Sequence, residues 1–250
     1  MSKKLNIGLL LVEDGDFWGG MNGLYEHYSK RFATCSPNIN IVPLDAINGT
    51  LPTTLQQLQQ YNGFIITGSN YSVNDGLPWM QRLEKWVDVM FRSGIHRLFG
   101  ICFGHQLIAK SLGCQVGRNV HSEDVFGTFP VTIHNALQTK QFFNRVFGFR
   151  REVMVMEAHG ESVLSVPAHL KCQVLGSSET CQYEVVAWSD NIVSMQGHPE
   201  FDVDVMENRI APMAREHGFL TDQQIGVAAK TFTDVDANDM VRFVASFFDE

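Results

Sequence analysis

No C-x-x-C pair occurs in this chain. Its five cysteines, Cys35, Cys102, Cys114, Cys172 and Cys181, are odd in number and scattered along 250 residues. Neither a disulfide framework nor a zinc site follows from such a set, so no metal is expected and a reducing compartment is. No apolar run approaches the ~18 residues that a membrane span requires, and no membrane partner is expected. Positive charge is short as well: 19 Lys and Arg stand against 27 Asp and Glu, a net charge of -8, which argues against a nucleic-acid partner. A G-x-x-x-x-G-K-[ST] phosphate loop is missing, as is any other glycine-rich ATP cradle, and no cofactor is expected. Repeats, low-complexity tracts and Pro- or Ser-rich linkers are also missing, so residues 1–250 read as a single domain. The N-terminus moves from Lys3 and Lys4 straight into a short strand, with Glu13 and Asp14 close behind. That is too short for a signal peptide, and a cytoplasmic protein is expected.

What the chain does have is 44% hydrophobic residues, enough for a substantial core. Apolar runs at Ile7 to Val12, Ile39 to Leu44, Phe64 to Thr67 and Leu98 to Ile101 read as buried strands separated by helical segments. Leu83, Trp86, Val87 and Met90 share one face of the helix over Met80 to Phe91. The alternation predicts an α/β fold, a mostly parallel open sheet with helices on both faces. After Lys110 the pattern turns to strands, at Phe129 to His134, Glu152 to Met156, Cys172 to Leu175, Glu184 to Trp188 and Ile192 to Met195. One clear helix falls among them, around Gln138 to Phe147. The last two runs, joined by Ser189-Asp190-Asn191, predict a hairpin, and this half is expected to add antiparallel strands. Val203, Met206, Ile210 and Met213 form a further helical stripe.

Three segments at strand ends carry chemistry. Gly100-Ile101-Cys102-Phe103-Gly104 is a G-x-C-x-G strand-to-helix turn, which places Cys102 at a helix N-terminus where the peptide dipoles favour a thiolate. A thiolate nucleophile needs a base with an orienting group, and Gly197-His198-Pro199-Glu200-Phe201 offers His198 and Glu200 in another such loop. Phe64-Ile65-Ile66-Thr67-Gly68-Ser69 ends in a glycine-containing turn, and the N–H groups of Gly68 and Phe103 form a natural oxyanion pair.

Together, Gly100-Ile101-Cys102-Phe103-Gly104-His105-Gln106 and Gly197-His198-Pro199-Glu200-Phe201 resemble the triad-type, class I glutamine amidotransferases, including stand-alone members similar to γ-glutamyl peptidases or GMP synthase-like proteins. The resemblance spans nearly the whole chain, from Asn6 to the helix after Glu200. It implies a flavodoxin-like glutaminase architecture, with Cys102 as nucleophile, His198 as general acid and base and Glu200 as its orienting partner. It further implies Gly68 and Phe103 as oxyanion donors, with Ser69, Gly104 and Gln106 near the substrate. Where the family often has Ser-His-x-Asp-x-Val, this chain reads Ala158-His159-Gly160-Glu161-Ser162-Val163. His159 is thus expected in the pocket, and the departure at Glu161 bears on how the amino acid end of the substrate is held.

The implied reaction is cleavage of the γ-amide of glutamine, or of a γ-glutamyl small molecule, through a γ-glutamyl thioester. A separate synthase subunit would receive the ammonia, or a free-standing γ-glutamyl peptidase would transfer none. A non-catalytic regulatory relative is the alternative of a different class, and the intact Cys102, His198 and Glu200 speak against it. A thiol hydrolase of the dienelactone type would place its acid before its histidine, the reverse of the order here. The loop from Tyr71 to Trp79 is expected at the entrance.

Overall fold

The apolar runs of the first half become adjacent parallel strands. In this computed structural model, which describes residues 4–49, 51–119 and 124–250, they are β1 (Leu5–Leu11), β2 (Ile39–Asp45), β3 (Gly63–Ile66) and β4 (Arg97–Ile101). Met1 to Lys3, where a signal peptide would begin, lie outside the described residues. A fifth parallel strand, β11 (Ile192–Met195), pairs with β4, giving the order β2-β1-β3-β4-β11. The expected hairpin joins β11 to the antiparallel β10 (Val185–Ser189), and β9 (Gln173–Ser177), β6 (Val125–Ile133) and β7 (Glu152–His159) complete nine strands. A small antiparallel pair, β5 (Gln115–Arg118) with β8 (Glu161–Ser165), stands apart from this sheet and was not foreseen.

The helical segments described are α1 (Gly20–Cys35), α2 (Leu55–Leu58), α3 (Pro78–Ser93), α4 (Phe103–Ser111), α5 (Asn135–Gln138), α6 (Gln141–Phe147), α7 (Val203–Val205), α8 (Ala211–Glu216), α9 (Asp222–Ala228) and α10 (Ala237–Phe247). Because a strand alternates its side chains, Leu9, Ile65 and Phe99 face one core with Tyr28 and Phe32 of α1 and Phe243 and Phe247 of α10. Leu10, Ile66 and Leu98 face the other core, with the predicted Leu83, Trp86, Val87 and Met90 stripe of α3. Both faces of the parallel strands are therefore covered, which explains why they read as unbroken apolar runs.

The stripe from Val203 to Met213 is not one regular helix. Between α7 and α8 the turn Met206–Ile210 is π-helical, with the Ala211 N–H bonded to the Met206 carbonyl five residues back. Pro212, which follows, has no N–H to continue an ordinary ladder.

In register, Ile66 lies opposite Gly100 and Ile101 opposite Met195. The C-terminal ends of β3, β4 and β11 thus come out side by side. The segments carrying Gly68, Cys102 and His198 leave from this single edge.

Candidate active site

Cys102 is the one non-glycine residue with positive φ among the described residues, at φ 48° and ψ -102°. Such a backbone costs on the order of 1–3 kcal/mol and persists only where its surroundings hold it. Here they do: the Cys102 N–H bonds the Met195 carbonyl at 3.0 Å, and its own carbonyl receives the Gln106 N–H at 3.0 Å. The flanking glycines are required by close approach. A Cβ on Gly100 would sit 2.6 Å from the Gly104 carbonyl oxygen, and one on Gly104 would sit 2.5 Å from that of Ile66.

His198 is brought to the thiol by the loop after β11, and its N–H is pinned to the Met156 carbonyl at 2.8 Å. Its Nδ1 lies 2.9 Å from Glu200 Oε1, and both side chains are buried. The ring stacks on Phe201 with centroids 4.0 Å apart and planes 4° from parallel. With Nδ1 occupied, Nε2 is the nitrogen left for Cys102. Burial pulls the His198 pKa down, but the charges of Glu200 and Cys102 and hydrogen bonds to both outweigh it and raise it to about 10. The imidazole is thus held charged at neutral pH, between the Cys102 sulphur and the Glu200 carboxyl. Burial pushes Glu200 the other way from its partners, and His198 and Tyr28 together leave its pKa lowered.

Glu200 is held chiefly from α1. The Tyr28 hydroxyl donates to Oε1 at 2.8 Å, while His27 Nε2 (3.0 Å) and Arg31 Nε (3.1 Å) reach the Glu200 carbonyl. None of these three was foreseen. The only sequence signal for Tyr28 is its place between Leu24 and Phe32 at helical spacing, which reads as core.

In the turn after β3, the Asn70 N–H is taken by Glu13 Oε2 at 2.6 Å and the Tyr71 N–H by Ser69 Oγ at 3.2 Å. The Gly68 amide acts on the Tyr28 oxygen, partly opposing the rise in the phenol's pKa caused by burial and by Glu200. A Cβ on Gly68 would fall 2.8 Å from His198 Cε1. Two cavities open at Cys102: one of about 50 Å3, lined by His198, Gly68 and Trp18 among others, and one of about 230 Å3 that reaches Gln106, His159 and Glu161.

Residues 23–214 match the model of the family described as glutamine amidotransferase class-I. The chain belongs to that family. A glutamine amidotransferase-like protein of Schizosaccharomyces pombe is 30% identical over 72% of this chain and 68% of its own length. Gamma-glutamyl peptidase 2 of Arabidopsis thaliana is 29% identical over 64% of this chain and 61% of its own, so the match spans less than two thirds of that relative. A glutamine-hydrolyzing GMP synthase subunit of Sulfolobus acidocaldarius is 27% identical over 71% of this chain and 85% of its own. The solved structure of a glutamine amidotransferase from Thermotoga maritima shares the fold, with a TM-score of 0.70 at 18% identity and full coverage of both chains.

The remaining expected residues of this amidotransferase domain fall in different places. Ser69, Gln106 and His159 line the larger cavity, whereas Gly104 lines neither and is packed against Ile66. Gln106 Nε2 is fastened to the Glu161 carbonyl at 2.8 Å and to Gln196 Oε1 at 3.1 Å. Gln196 in turn points its own amide at the Cys102 sulphur at 3.6 Å, a thiol contact the sequence did not suggest. His159 Nδ1 donates to the Glu161 carbonyl at 3.0 Å, and burial lowers its pKa to about 4, so the ring is neutral. Its other nitrogen lies 3.5 Å from Glu157, a carboxyl that is itself wholly buried. Tyr71 stands at the larger cavity, edge-on to Trp79, which lies against Phe103. Among the described residues no group of three or more His, Cys, Asp or Glu could hold a metal, and no helix is long and apolar enough to cross a membrane.

Proposed function

We propose that the chain is a thiol hydrolase that cleaves the γ-amide of glutamine or of a γ-glutamyl compound. The buried alignment of Cys102, His198 and Glu200 carries this reading, because it holds a charged imidazole between a sulphur and a carboxylate. The Cys102 thiolate attacks the γ-carbonyl and forms a C–S bond as the C–N bond breaks. His198 gives its proton to the departing nitrogen, which leaves as ammonia or an amine. Water then attacks the thioester, His198 takes the water's proton, and glutamate leaves as the thiolate is restored. Phe103 N–H, at the start of α4 where no helical acceptor exists, is one oxyanion donor. The Gly68–Ser69 turn supplies the other, and of its two amides that of Ser69 has no acceptor among the described residues, whereas that of Gly68 faces Tyr28.

The larger cavity takes the glutamyl group. Its far end carries both signs of charge, with Glu161 for an α-ammonium and Arg118, paired to Asp124 at 3.1 Å, for an α-carboxylate. A protein without catalysis would gain nothing from the strained Cys102 backbone. A second reading, delivery of ammonia to a separate synthase, draws support from the similarity along 85% of the Sulfolobus GMP synthase subunit. The test is release of glutamate and ammonia by the purified protein on glutamine and on γ-glutamyl donors, with Cys102→Ala as control. Release that survives in Cys102→Ala contradicts the reading.

A further inference from the structure

The two cavities share Cys102, Ser69, Asn70, Ala158, Ile210 and Met213, so both open on the reacting sulphur. They differ in one decisive respect: His198 and Gly68 line only the smaller one. A general acid must reach the nitrogen it protonates, so the leaving group lies on the imidazole side and the acyl chain in the larger cavity. The small recess is therefore a leaving-group subsite, and its walls describe what leaves.

Beside the catalytic His198 and Glu200 and the polar Glu13, Ser69 and Asn70, the walls are apolar and aromatic. Phe17, Trp18, Leu24, Phe201 and Met213 contribute, and Trp18 and Phe201 are 5% and 4% exposed with ring centroids 6.1 Å apart. Ammonia has no use for such walls, because it buries no carbon against them. The volume, about 50 Å3, is a third of the about 150 Å3 of an apolar cavity that takes benzene, so a substituent of a few carbons fits. Charge narrows the class further. Glu13 is part of the wall, its carboxylate fixed by the N–H groups of Gly15 and Asn70, both at 2.6 Å. Among the described residues no lysine or arginine lines the recess. Arg209 stacks on Trp18 at 5.5 Å and donates to the Phe17 carbonyl, but its side chain is exposed and not part of the wall. A leaving group with its own carboxylate would meet Glu13, and the one cation of the wall, His198, is already paired with Glu200.

We propose that the preferred donors are γ-glutamyl amides of small apolar amines, with Phe17, Trp18 and Phe201 forming the subsite for the amine. The proposal rests on the γ-glutamyl hydrolase reading above. The test compares kcat/KM of the purified protein on glutamine, γ-glutamyl-ethylamide and γ-glutamylglycine. One methylene in an apolar pocket is worth about tenfold or more, so the ethylamide is expected to exceed glutamine by at least about tenfold, and to exceed γ-glutamylglycine. Trp18→Ala is expected to collapse the ratio of ethylamide to glutamine. Phe17→Ala, at a half-buried position, reads the same ratio if the Trp18 variant does not fold. Glutamine cleaved as well as the ethylamide would overturn the proposal while leaving the hydrolase reading intact. A preference for γ-glutamylglycine over the ethylamide would overturn it too. If no donor is cleaved, both fall.

Discussion

The Tyr28 hydroxyl and His198 Nδ1 share one carboxylate oxygen, Glu200 Oε1, at 2.8 and 2.9 Å. Helix α1 is thereby tied to the imidazole through a single atom. The other Glu200 oxygen, Oε2, has no hydrogen-bond partner among the described residues, so the carboxylate is oriented through the shared oxygen, while His27 and Arg31 hold the backbone carbonyl.

Removing that tie should cost activity more than fold. Tyr28→Phe keeps the buried ring and deletes one hydrogen bond to a charged group, an interaction worth roughly 1.5–3 kcal/mol. Applied to the transition state, this is a fall in kcat of roughly ten- to a hundredfold. Steady-state kinetics beside a thermal melt would check it, and an unchanged kcat would show that Glu200 needs no support from the Tyr28 hydroxyl.

Gly68→Ala tests the spacing between the turn after β3 and the imidazole. The new Cβ would fall 2.8 Å from His198 Cε1, so the ring must leave its present place beside Cys102. A misplacement of about 1 Å at a reacting group costs on the order of a hundredfold in rate. The same variant should still melt cooperatively, since the clash is with a side chain and not with backbone.

Two groups give stability a pH dependence, one mainly on the alkaline side of neutrality and one mainly on the acid side. His198 is raised from 6.5 to about 10, so its contribution is fully present below 6.5 and is lost as the pH rises through about 10. The charged imidazole is lost over the same alkaline range, and activity should fall there. A pH profile whose alkaline limb lies near 6.5 instead would show that the imidazole is not held charged.

The second group is a buried carboxyl pair. Glu184 accepts from Ser178 at 2.6 Å, and burial raises its pKa from 4.5 to about 7. Glu157 beside it is raised by burial, by Glu184 and by Cys102. Raised acids stabilise the fold below 4.5 and lose that contribution as the pH climbs through about 7. Glu184→Gln, which stays neutral, should flatten the loss of Tm across that interval. An unaltered Tm profile would place the pair's proton elsewhere.

How far the sequence could be read depended on whether a residue's partner was local. The Cys102 elbow was legible because glycines at 100 and 104 flank it within one turn, and the β10–β11 hairpin because Ser189-Asp190-Asn191 interrupts two apolar runs. The parallel strands stood out as short apolar runs, since both their faces are buried. Tyr28 was hidden because Leu24, Tyr28 and Phe32 form an ordinary core stripe, and its partner lies 172 residues away. The β5–β8 pair escaped because four residues, Gln115–Arg118, are too few to show a period. Gln196 carries no local sign of a role in the sequence, and only the folded chain turns its amide to the thiol.

The proposed reaction passes through a γ-glutamyl thioester on Cys102. Its most direct test is mass spectrometry of the protein acid-quenched during turnover of a γ-glutamyl donor, followed by peptide mapping. The account predicts one added γ-glutamyl group, on the peptide containing Cys102 and on no other cysteine, and none in Cys102→Ala. Turnover with no adduct under conditions that trap acyl-enzymes, or an adduct on another residue, would contradict it.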